Sequence, residues 1–384
     1  MDARGPANRL ARREFLKTAG VAAVGAGIGS LPGFAANAQE ARALSARETV
    51  DALLGRNREH EKFSSPGRSN HVPMVLIALY RMGATPQQMQ RYADGFDLAP
   101  GVAPADGARK EAITRETWRS QLGRGGFPSY VAFFDGWIQQ ASIEAVLKEA
   151  APILMKGPSC VAYHALLRLG YALDYGSKEE AAYSLAYWAS SFYPGPDFDA
   201  RGEAVAADAL LADLIKGAAA VSLKQSGNID GRIRAVYGAR ELAKLWKPVR
   251  LPDSNPLETI SGLILETFAQ SQHFTLLHAL TSCQSLRLLI PYLGDPREGL
   301  IAYWHSVCAA YLTVTGGKFE PGKDTVPESG LEWTEILPKA AASEKALEHT
   351  VKLAYSCWQE SKHYKKEKYR ALASRELKRP SPFV

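Results

Sequence analysis

The chain has 384 residues, of which 46% are hydrophobic and 22% are charged, and its formal net charge is +6. A chain of this length and composition can bury a large core, which excludes a protein that is disordered throughout. Residues 1–38 hold five Lys/Arg and two acidic residues, so +3 of the charge lies there, and the remaining +3 is too scattered to indicate a nucleic-acid-binding protein.

The N-terminal segment has the features of an export signal. Arg12 and Arg13 precede a Gly/Ala-rich apolar run, and Ala-Asn-Ala at residues 36–38 fits an A-x-A cleavage site. We therefore expect residues 1–38 to be a signal peptide for the twin-arginine export machinery. Residues 39–384 are then expected to fold as one domain that works in the periplasm or outside the cell. The apolar run is too short and too rich in glycine for a span of ~20 residues, so we expect no retained membrane span.

Apolar residues recur at helical spacing along nearly all of the rest of the chain, and no run alternates as a strand would. Two stretches, at 74–96 and 163–192, have the pattern of a helix, a glycine, a short break and a second helix, but no fixed repeat emerges. The sequence predicts an all-α fold, either a single large helical bundle or an irregular array of helical hairpins. The predicted helical stretches are about 45–55, 73–82, 114–122, 128–148, 159–174, 178–191, 203–224, 229–244, 256–270, 273–291, 296–313 and 342–374.

The four cysteines have no C-x-x-C spacing and lie in apolar helical stretches. This favours buried free thiols over a disulfide or a zinc site. They are Cys160, Cys283, Cys308 and Cys357.

Several histidines occur where a predicted helix is apolar on both sides of the residue. These are His164, His278, His305 and His349. A lone histidine in such a place is usually a hydrogen-bonded core residue, but facing helices of a bundle can also bring several together around a metal. His71 stands instead at a predicted helix start, just before Pro73, where the positive end of the helix dipole favours the neutral imidazole that a metal requires.

Lys352 follows His349 by three residues, so the two side chains share one helix face. Glu348 lies four residues before Lys352, with the acid on the N-terminal side, which is the favourable order for a solvated ion pair. The local sequence therefore allows two interpretations. Lys352 either acts together with His349 on one object or pairs with Glu348 at the surface.

Four of these segments, in their order and spacing, resemble the questin oxidase-like family, and the resemblance covers most of residues 50–375. This family includes fungal enzymes that oxidatively open anthraquinone rings. The segments are SNHVPM, YHALLRLGYALDY, LLHALTSCQSLRLLIPYLG and EHTVKLAYSCW.

The resemblance implies an Fe(II) centre without haem that uses O2 as co-substrate, with the metal held by four histidines and a carboxylated lysine. Carried over by motif, the ligands are His71, His164, His278, His349 and Lys352. A carboxylated lysine is an oxygen ligand with a negative charge, which four neutral imidazoles do not provide.

The chain departs from the family pattern at two positions. Fungal members often have a second histidine where this chain has Arg168, and six residues after His278 it has Gln284. We expect Arg168 to orient an anionic oxygen or a substrate phenolate, with a helix-surface arginine as the alternative. Tyr171, one turn further along, is the tyrosine expected near the metal.

The leading interpretation is an exported, metal-dependent oxidoreductase, an oxygenase that acts on an aromatic or polyketide-like substrate with O2. One alternative is a non-catalytic α-helical binding or scaffold protein whose histidines are core residues. Another is an NADPH- or flavin-assisted monooxygenase of Baeyer-Villiger type. No strand–turn–helix motif for nucleotide binding supports NADPH.

Overall fold

The computed structural model of the protein describes residues 32–59, 63–65, 68–95, 112–223, 227–314, 330–342 and 348–378, together with positions 320, 323, 325 and 326. These residues form helices joined by loops, and the predicted all-α class is confirmed. The helices are α1 (Pro32–Arg58), α2 (Val72–Arg81), α3 (Pro86–Asp94), α4 (Phe127–Gln140), α5 (Ile143–Leu154), α6 (His164–Tyr175), α7 (Lys178–Ser190), α8 (Ala207–Ala218), α9 (Ile229–Tyr237), α10 (Pro256–Ser271), α11 (Phe274–Leu289), α12 (Pro296–Leu312), α13 (Trp333–Ala341), α14 (Glu348–Tyr364) and α15 (Glu367–Leu377).

Strands within the described residues are confined to two short pairs. An antiparallel pair, β1 (Phe63–Ser65) and β2 (Arg68–Ser69), directly precedes α2, and a parallel pair joins β3 (Val205–Ala206) to β4 (Val249–Arg250). Two 3₁₀ turns, Arg240–Leu245 and Ile290–Tyr292, complete the regular structure. The helices therefore make nearly all of the core.

The chain divides into two units, with the boundary between Ser45 and Ala46. Every element from α2 onward belongs to the second unit. The expected signal peptide falls largely on residues 1–31, which lie outside the described residues, and the domain boundary at 38/39 stays a prediction. In the part of the chain that the structure covers, no helix has the length and apolarity needed to cross a bilayer.

Four helices, α2, α6, α11 and α14, surround one interior and run in the same direction; we call them the site bundle. In α2 and α6, His71 meets His164 at one end, and Arg81 donates to Asp174 (Nε–Oδ2 2.9 Å) ten residues further along both helices. Because both contacts advance by the same number of residues, the two helices are parallel.

The other two helices of the site bundle follow the same course. In α11, His278 contacts His164, and Ser285, seven residues later, donates to the Leu167 carbonyl (3.3 Å). In α14, His349 contacts His278, and Ser356, seven residues later, donates to the Thr281 carbonyl (3.0 Å). A Cβ at Gly170 would collide with Ser285, so the missing side chain allows α6 and α11 to approach closely. All four N-terminal ends therefore lie at the same end of the site bundle.

Local sequence sets the hairpin that supports α6. Gly176, at φ 83°, ends α6 in the left-handed conformation that glycine adopts without strain. Ser177 then caps α7 by accepting a hydrogen bond from the Glu180 backbone N–H (3.1 Å). This is the second of the two helical hairpins that the sequence pattern predicts.

Several predicted helix bounds are wrong, each for a local reason. Residues 114–122 form successive turns and not a helix. The stretch 128–148 is broken at Ala141, where φ −109° and ψ −91° leave the helical region, and Ser142 caps a new helix. The stretch 342–374 is interrupted at Lys365, whose φ of 56° separates α14 from α15.

The four cysteines are buried and none forms a disulfide, as the sequence predicts. Burial raises the pKa of each thiol, because the thiolate would lie in an apolar core. They are therefore core residues.

Candidate metal centre

The N-terminal end of the site bundle brings together the four histidines that the resemblance selects. His71 is the N-cap of α2, His164 is the first residue of α6, His278 is on the second turn of α11, and His349 is the second residue of α14. Each residue is at most 5% exposed. Each helix thus contributes one imidazole to the same buried end.

The four rings form a closed circuit. The ring centroids are 4.7 Å apart for His71 and His164, 4.8 Å for His164 and His278, 5.3 Å for His278 and His349, and 4.8 Å for His349 and His71. We call these four residues the histidine cluster. Apolar positions at helical spacing do not by themselves require four imidazoles to meet.

Hydrogen bonds fix the orientation of two of the rings. Nδ1 of His164 donates to the Val161 carbonyl (2.7 Å), and Nδ1 of His278 donates to the Phe274 carbonyl (2.9 Å). A proton on Nδ1 leaves Nε2 of each neutral ring with its lone pair free, which is how metal-binding histidines are usually held. The outward-facing nitrogens are therefore satisfied by backbone.

The Nε2 atoms of His71 and His164 are 2.7 Å apart. Two lone pairs repel at this distance unless a proton or a cation lies between or beside them. Bonds near 2.0–2.1 Å to one ion place neighbouring ligand nitrogens about 3 Å apart when the angle is close to 90°. The observed separation fits two ligands of one metal ion.

The backbone before α6 is unusual. Val161, Ala162 and Tyr163 have φ values of 50°, 54° and 66°, so three consecutive residues other than glycine are left-handed. Each costs roughly 1–2 kcal/mol relative to a right-handed conformation. This turn delays the start of α6 from the predicted residue 159 to His164 and directs the Val161 carbonyl to the His164 ring. Such strain is typical of functional sites.

Glu348 belongs to the candidate centre and not to the surface. Its Oε1 accepts a hydrogen bond from Nδ1 of His71 at 2.6 Å and lies 3.7 Å from Nδ1 of His349. A carboxylate on Nδ1 turns Nε2 towards a metal and makes the imidazole a stronger ligand. His71, Glu348 and His349 also offer three ligand atoms within 4.8 Å of one another. We favour the orienting role for Glu348, since Nε2 of His71 faces His164.

The surface ion pair between Glu348 and Lys352 is not formed, because both side chains are buried and Lys352 is 0% exposed. Nζ of Lys352 and both ring nitrogens of His349 are buried without any hydrogen-bond partner among the described residues. An unsatisfied buried polar group costs about 1–3 kcal/mol, so three together at one point indicate that something else binds there. The donor set fits a metal ion.

The electrostatics favour neutral bases in this cluster. Burial, with a smaller contribution from nearby Lys352, lowers the pKa of His278 to about 3, and burial also lowers the pKa of His164 and His349 well below the usual value. Burial lowers the pKa of Lys352 to about 8, although Glu348 opposes the change. Metals bind neutral imidazole, and CO2 reacts with the neutral amine.

Arg168 is buried and not on the helix surface, and its contacts with described residues do not include the histidine cluster. Its Nη2 donates to Glu180 (3.0 Å), which also accepts from Arg58 (3.0 Å), and its guanidinium lies 4.0 Å from the ring centroid of Tyr183. Nε and Nη1 have no partner in the described part of the chain. The role of holding an anionic oxygen stays a prediction.

Tyr171 lies deeper in the site bundle than the histidine cluster. It is seven residues beyond His164, and its ring centroid is 5.5 Å from that of Tyr355 on α14. Tyr171 makes no ring contact with the four histidines among the described contacts. Tyr171 thus stands two helical turns from His164, as its sequence position implies, and both its place near the metal and its catalytic role stay predictions.

Phe274 is a component that sequence reasoning missed. Its ring packs edge-on against His278 and His349, with centroids 4.7 Å apart in both pairs, and it is partly exposed while the histidines are buried. The available signal was its position one helical turn before His278, on the same face of α11. Phe274 separates part of the histidine cluster from solvent.

Comparison with known proteins relates the chain to a family of oxidases. The model of the questin oxidase-like family matches residues 68–357, a range that contains all five predicted ligands. The chain is also 27% identical over 150 residues to the Baeyer-Villiger oxidase AgnL3 of Paecilomyces divaricatus. That match covers 36% of this chain and 33% of the relative, so it spans about a third of the relative's length. Both findings indicate an oxidoreductase.

Proposed function

The chain belongs to the questin oxidase-like family, and from this premise we propose that it is a metal-dependent oxygenase without haem, with iron as the metal. The substrate is an aromatic or polyketide-like compound, and O2 is the co-substrate. One observation carries the proposal. Four buried imidazoles converge, and neither the ring nitrogens of His349 nor Nζ of nearby Lys352 have a hydrogen-bond partner among the described residues.

The metal would be held by the histidine cluster and Lys352. Iron held there supplies the ability to bind O2 and pass electrons to it, which the amino acids themselves lack. The chain provides the neutral imidazoles, the backbone carbonyls that orient His164 and His278, and the Glu348 carboxylate that orients His71. Phe274 limits the access of water.

Lys352 would act as a carbamate. Its neutral amine bonds to the carbon of CO2 and releases one proton, so a cation that repels a metal becomes an anionic oxygen ligand. The positions of the helices support this charge reversal. Four helix N-termini meet at the histidine cluster, and their positive dipole ends stabilise an anion there.

The name of the fungal relative favours a second candidate, insertion of one oxygen atom next to a carbonyl. That reaction places one atom of O2 in the product and reduces the other to water, which needs two electrons from a reductant such as NADPH. A dioxygenase places both atoms in the product without a reductant. Mass analysis of products formed under ¹⁸O2 from a hydroxyanthraquinone, with NADPH consumption measured in parallel, distinguishes the two.

We further propose that the enzyme is exported through the twin-arginine route and works in the periplasm or outside the cell. The support is the sequence around Arg12 and Arg13 and the A-x-A site at residues 36–38. Replacing both arginines by lysine should leave the precursor in the cytoplasm, as followed by fractionation and immunoblotting. Undiminished export of the variant would refute the route.

The metal itself is tested by elemental analysis of protein purified from a host that exports it folded. His278→Gln should lose most of its iron, whereas His305→Gln, a change of an equally buried histidine outside the histidine cluster, should retain it. A wild-type protein without any stoichiometric metal would refute the proposal and favour a scaffold. Equal iron in both variants would remove His278 from the ligand set.

A further inference from the structure

A row of three aromatic rings leads from the interior of the site bundle to the protein surface. The rings are those of Tyr171, Tyr355 and Trp358, and we call them the file. The ring centroids of Tyr171 and Tyr355 are 5.5 Å apart, and those of Tyr355 and Trp358 are 6.3 Å apart. Trp358 is partly exposed, and Nζ of Lys362 lies 3.6 Å from its ring centroid. The file thus ends where solvent and soluble molecules can reach it.

The inner end of the file lies just below the candidate metal centre. Tyr355 follows Lys352 by three residues on α14, a rise of about 4.5 Å along the helix. Tyr171 stands on α6, which also supplies His164. Two of the helices that hold the predicted ligands therefore also carry the first two rings of the file.

The hydroxyl of Tyr355 is hydrogen-bonded to a carboxylate that can accept its proton. It donates to Oδ2 of Asp174 at 2.6 Å, and the same oxygen accepts from Nε of Arg81 at 2.9 Å. A phenol that loses an electron becomes a strong acid, so a carboxylate already bonded to it can take the proton in the same event. This makes Tyr355 easier to oxidise than a tyrosine bonded only to neutral acceptors. Tyr303, whose hydroxyl bonds to Ser282 and the Ala279 carbonyl, is of the second kind.

We propose that Tyr355 and Trp358 form a one-electron relay, with Tyr171 beside it, that carries oxidising equivalents from the metal centre to the surface. The oxidant is hydrogen peroxide, and the relay acts when peroxide reacts at the centre while no substrate is there to be oxidised. This inference rests on the proposed function, because it needs an iron centre that reacts with O2 and with its reduction product, peroxide.

The steps balance in electrons and protons. Tyr355 would give one electron to the peroxide that reacts at the centre, while its O–H bond breaks and the proton forms a new O–H bond on Asp174. Two such transfers, with two protons taken from solvent, would reduce one H2O2 to two molecules of water. Trp358 then returns one electron to Tyr355, which recovers its proton from Asp174, and the indole N–H of Trp358 releases a proton to water. A surface reductant of the thiol or quinol class restores Trp358 with one electron and one proton.

The chain offers a matched control for Tyr355. Tyr175 also donates to a carboxylate, Oδ1 of Asp51 at 2.6 Å, and it lies on α6 four residues after Tyr171. Its ring contact in the described structure is with Tyr80, at 5.5 Å, and it makes none with Tyr355 or Trp358. Tyr175→Phe therefore removes a tyrosine–aspartate pair without interrupting the file.

The test uses iron-loaded protein whose iron content has first been measured, mixed with hydrogen peroxide in the absence of substrate. Samples frozen within the first turnover are examined by electron paramagnetic resonance, with deuterated tyrosine to assign the radical. Oxidised residues are then mapped by peptide mass spectrometry. The wild type should give a tyrosyl signal and oxidation at Trp358. Tyr355→Phe should lose both, with oxidation several-fold higher at Phe274 and the cluster histidines, whereas Tyr175→Phe should match the wild type.

Two outcomes overturn the relay with the iron centre intact. One is a tyrosyl signal that persists in Tyr355→Phe, and the other is an equal loss in Tyr175→Phe. Absence of iron from the wild type is a different result, because it overturns the proposed function and the relay with it. Iron content, measured before the peroxide is added, keeps the two failures apart.

Discussion

Two environments in this molecule hold buried histidines at almost the same exposure, and they differ in what the ring nitrogens contact. His305, on α12, donates from Nε2 to the Lys247 carbonyl (2.9 Å) and packs edge-on against Phe198 and Trp246. His349, on α14, has no hydrogen-bond partner for either ring nitrogen within the part of the chain that the structure describes, and its neighbours include two imidazoles and a lysine. His305 is therefore a core residue whose ring is hydrogen-bonded, whereas the ring of His349 is buried without a hydrogen bond to the described residues.

The comparison shows which property indicates a site. Burial lowers the pKa of both His305 and His278, to about 4 and about 3, so a depressed pKa alone does not separate a core residue from a ligand. Unsatisfied polar atoms and the convergence of several bases on one point do separate them. The predictions below change one environment while the other serves as the reference.

The largest effect is expected for Lys352→Ala, which removes the predicted carbamate. Without an anionic ligand the charge of the metal is uncompensated in a buried cluster, so iron retention, measured by the rate at which a chelator removes iron, should fall by more than about 100-fold, beyond the range for loss of an orienting partner. A small carboxylate such as acetate should restore part of it by occupying the vacated space. Lys362→Ala, on the same helix but at the surface, is the control. Full iron and activity in Lys352→Ala would show that the lysine is not a ligand.

A smaller effect is expected for Glu348→Gln, because Glu348 orients His71 and is not itself a predicted ligand. Loss of the carboxylate on Nδ1 should weaken iron retention by about 10–100-fold, as measured by the rate at which a chelator removes iron. Glu360→Gln is the control, since Glu360 is buried on the same helix but pairs with Arg287. A loss as large as that of Lys352→Ala would instead make Glu348 a ligand.

The parts of the candidate site that the sequence predicts are those set by periodicity and motif order. Apolar helical stretches place His164, His278 and His349 in an interior, and Pro73 places His71 at a helix start, as the structure has it. The resemblance supplies the grouping, because residues that are 278 positions apart carry no local sign of contact. The parallel course of the four helices depends on their loops and is not readable from the pattern.

Other features depend on single backbone angles or on close packing. The left-handed turn at residues 161–163 has no glycine to indicate it, so α6 was predicted to begin too early. The spacing of Glu348 from Lys352 allows a solvated surface pair as one of two interpretations, and only the buried start of α14 shows that Glu348 meets His71. Arg168 is expected to orient an anionic oxygen because it stands where fungal members often have a second histidine. The sequence does not indicate that Glu180 and Tyr183 occupy one side of it, and the expected role stays a prediction.

The smallest effect concerns the reference environment and appears as a pH dependence of stability. The folded pKa of His305 is about 4 against an ordinary value of 6.5, so between these pH values the unfolded chain binds a proton that the folded chain does not. The neutral ring therefore makes its full contribution to the free energy of unfolding above pH ~6.5. Below that pH the contribution falls by about 1.4 kcal/mol per pH unit. In urea unfolding of the metal-free protein, the free energy of unfolding of His305→Phe should therefore depend less steeply on pH than that of the wild type, by this amount. The cluster histidines are present in both proteins, so their contributions cancel in the difference. The control is His363→Gln, a change of an exposed histidine, which should leave the pH dependence nearly unchanged. An unchanged pH dependence in His305→Phe as well would mean that His305 is not held neutral.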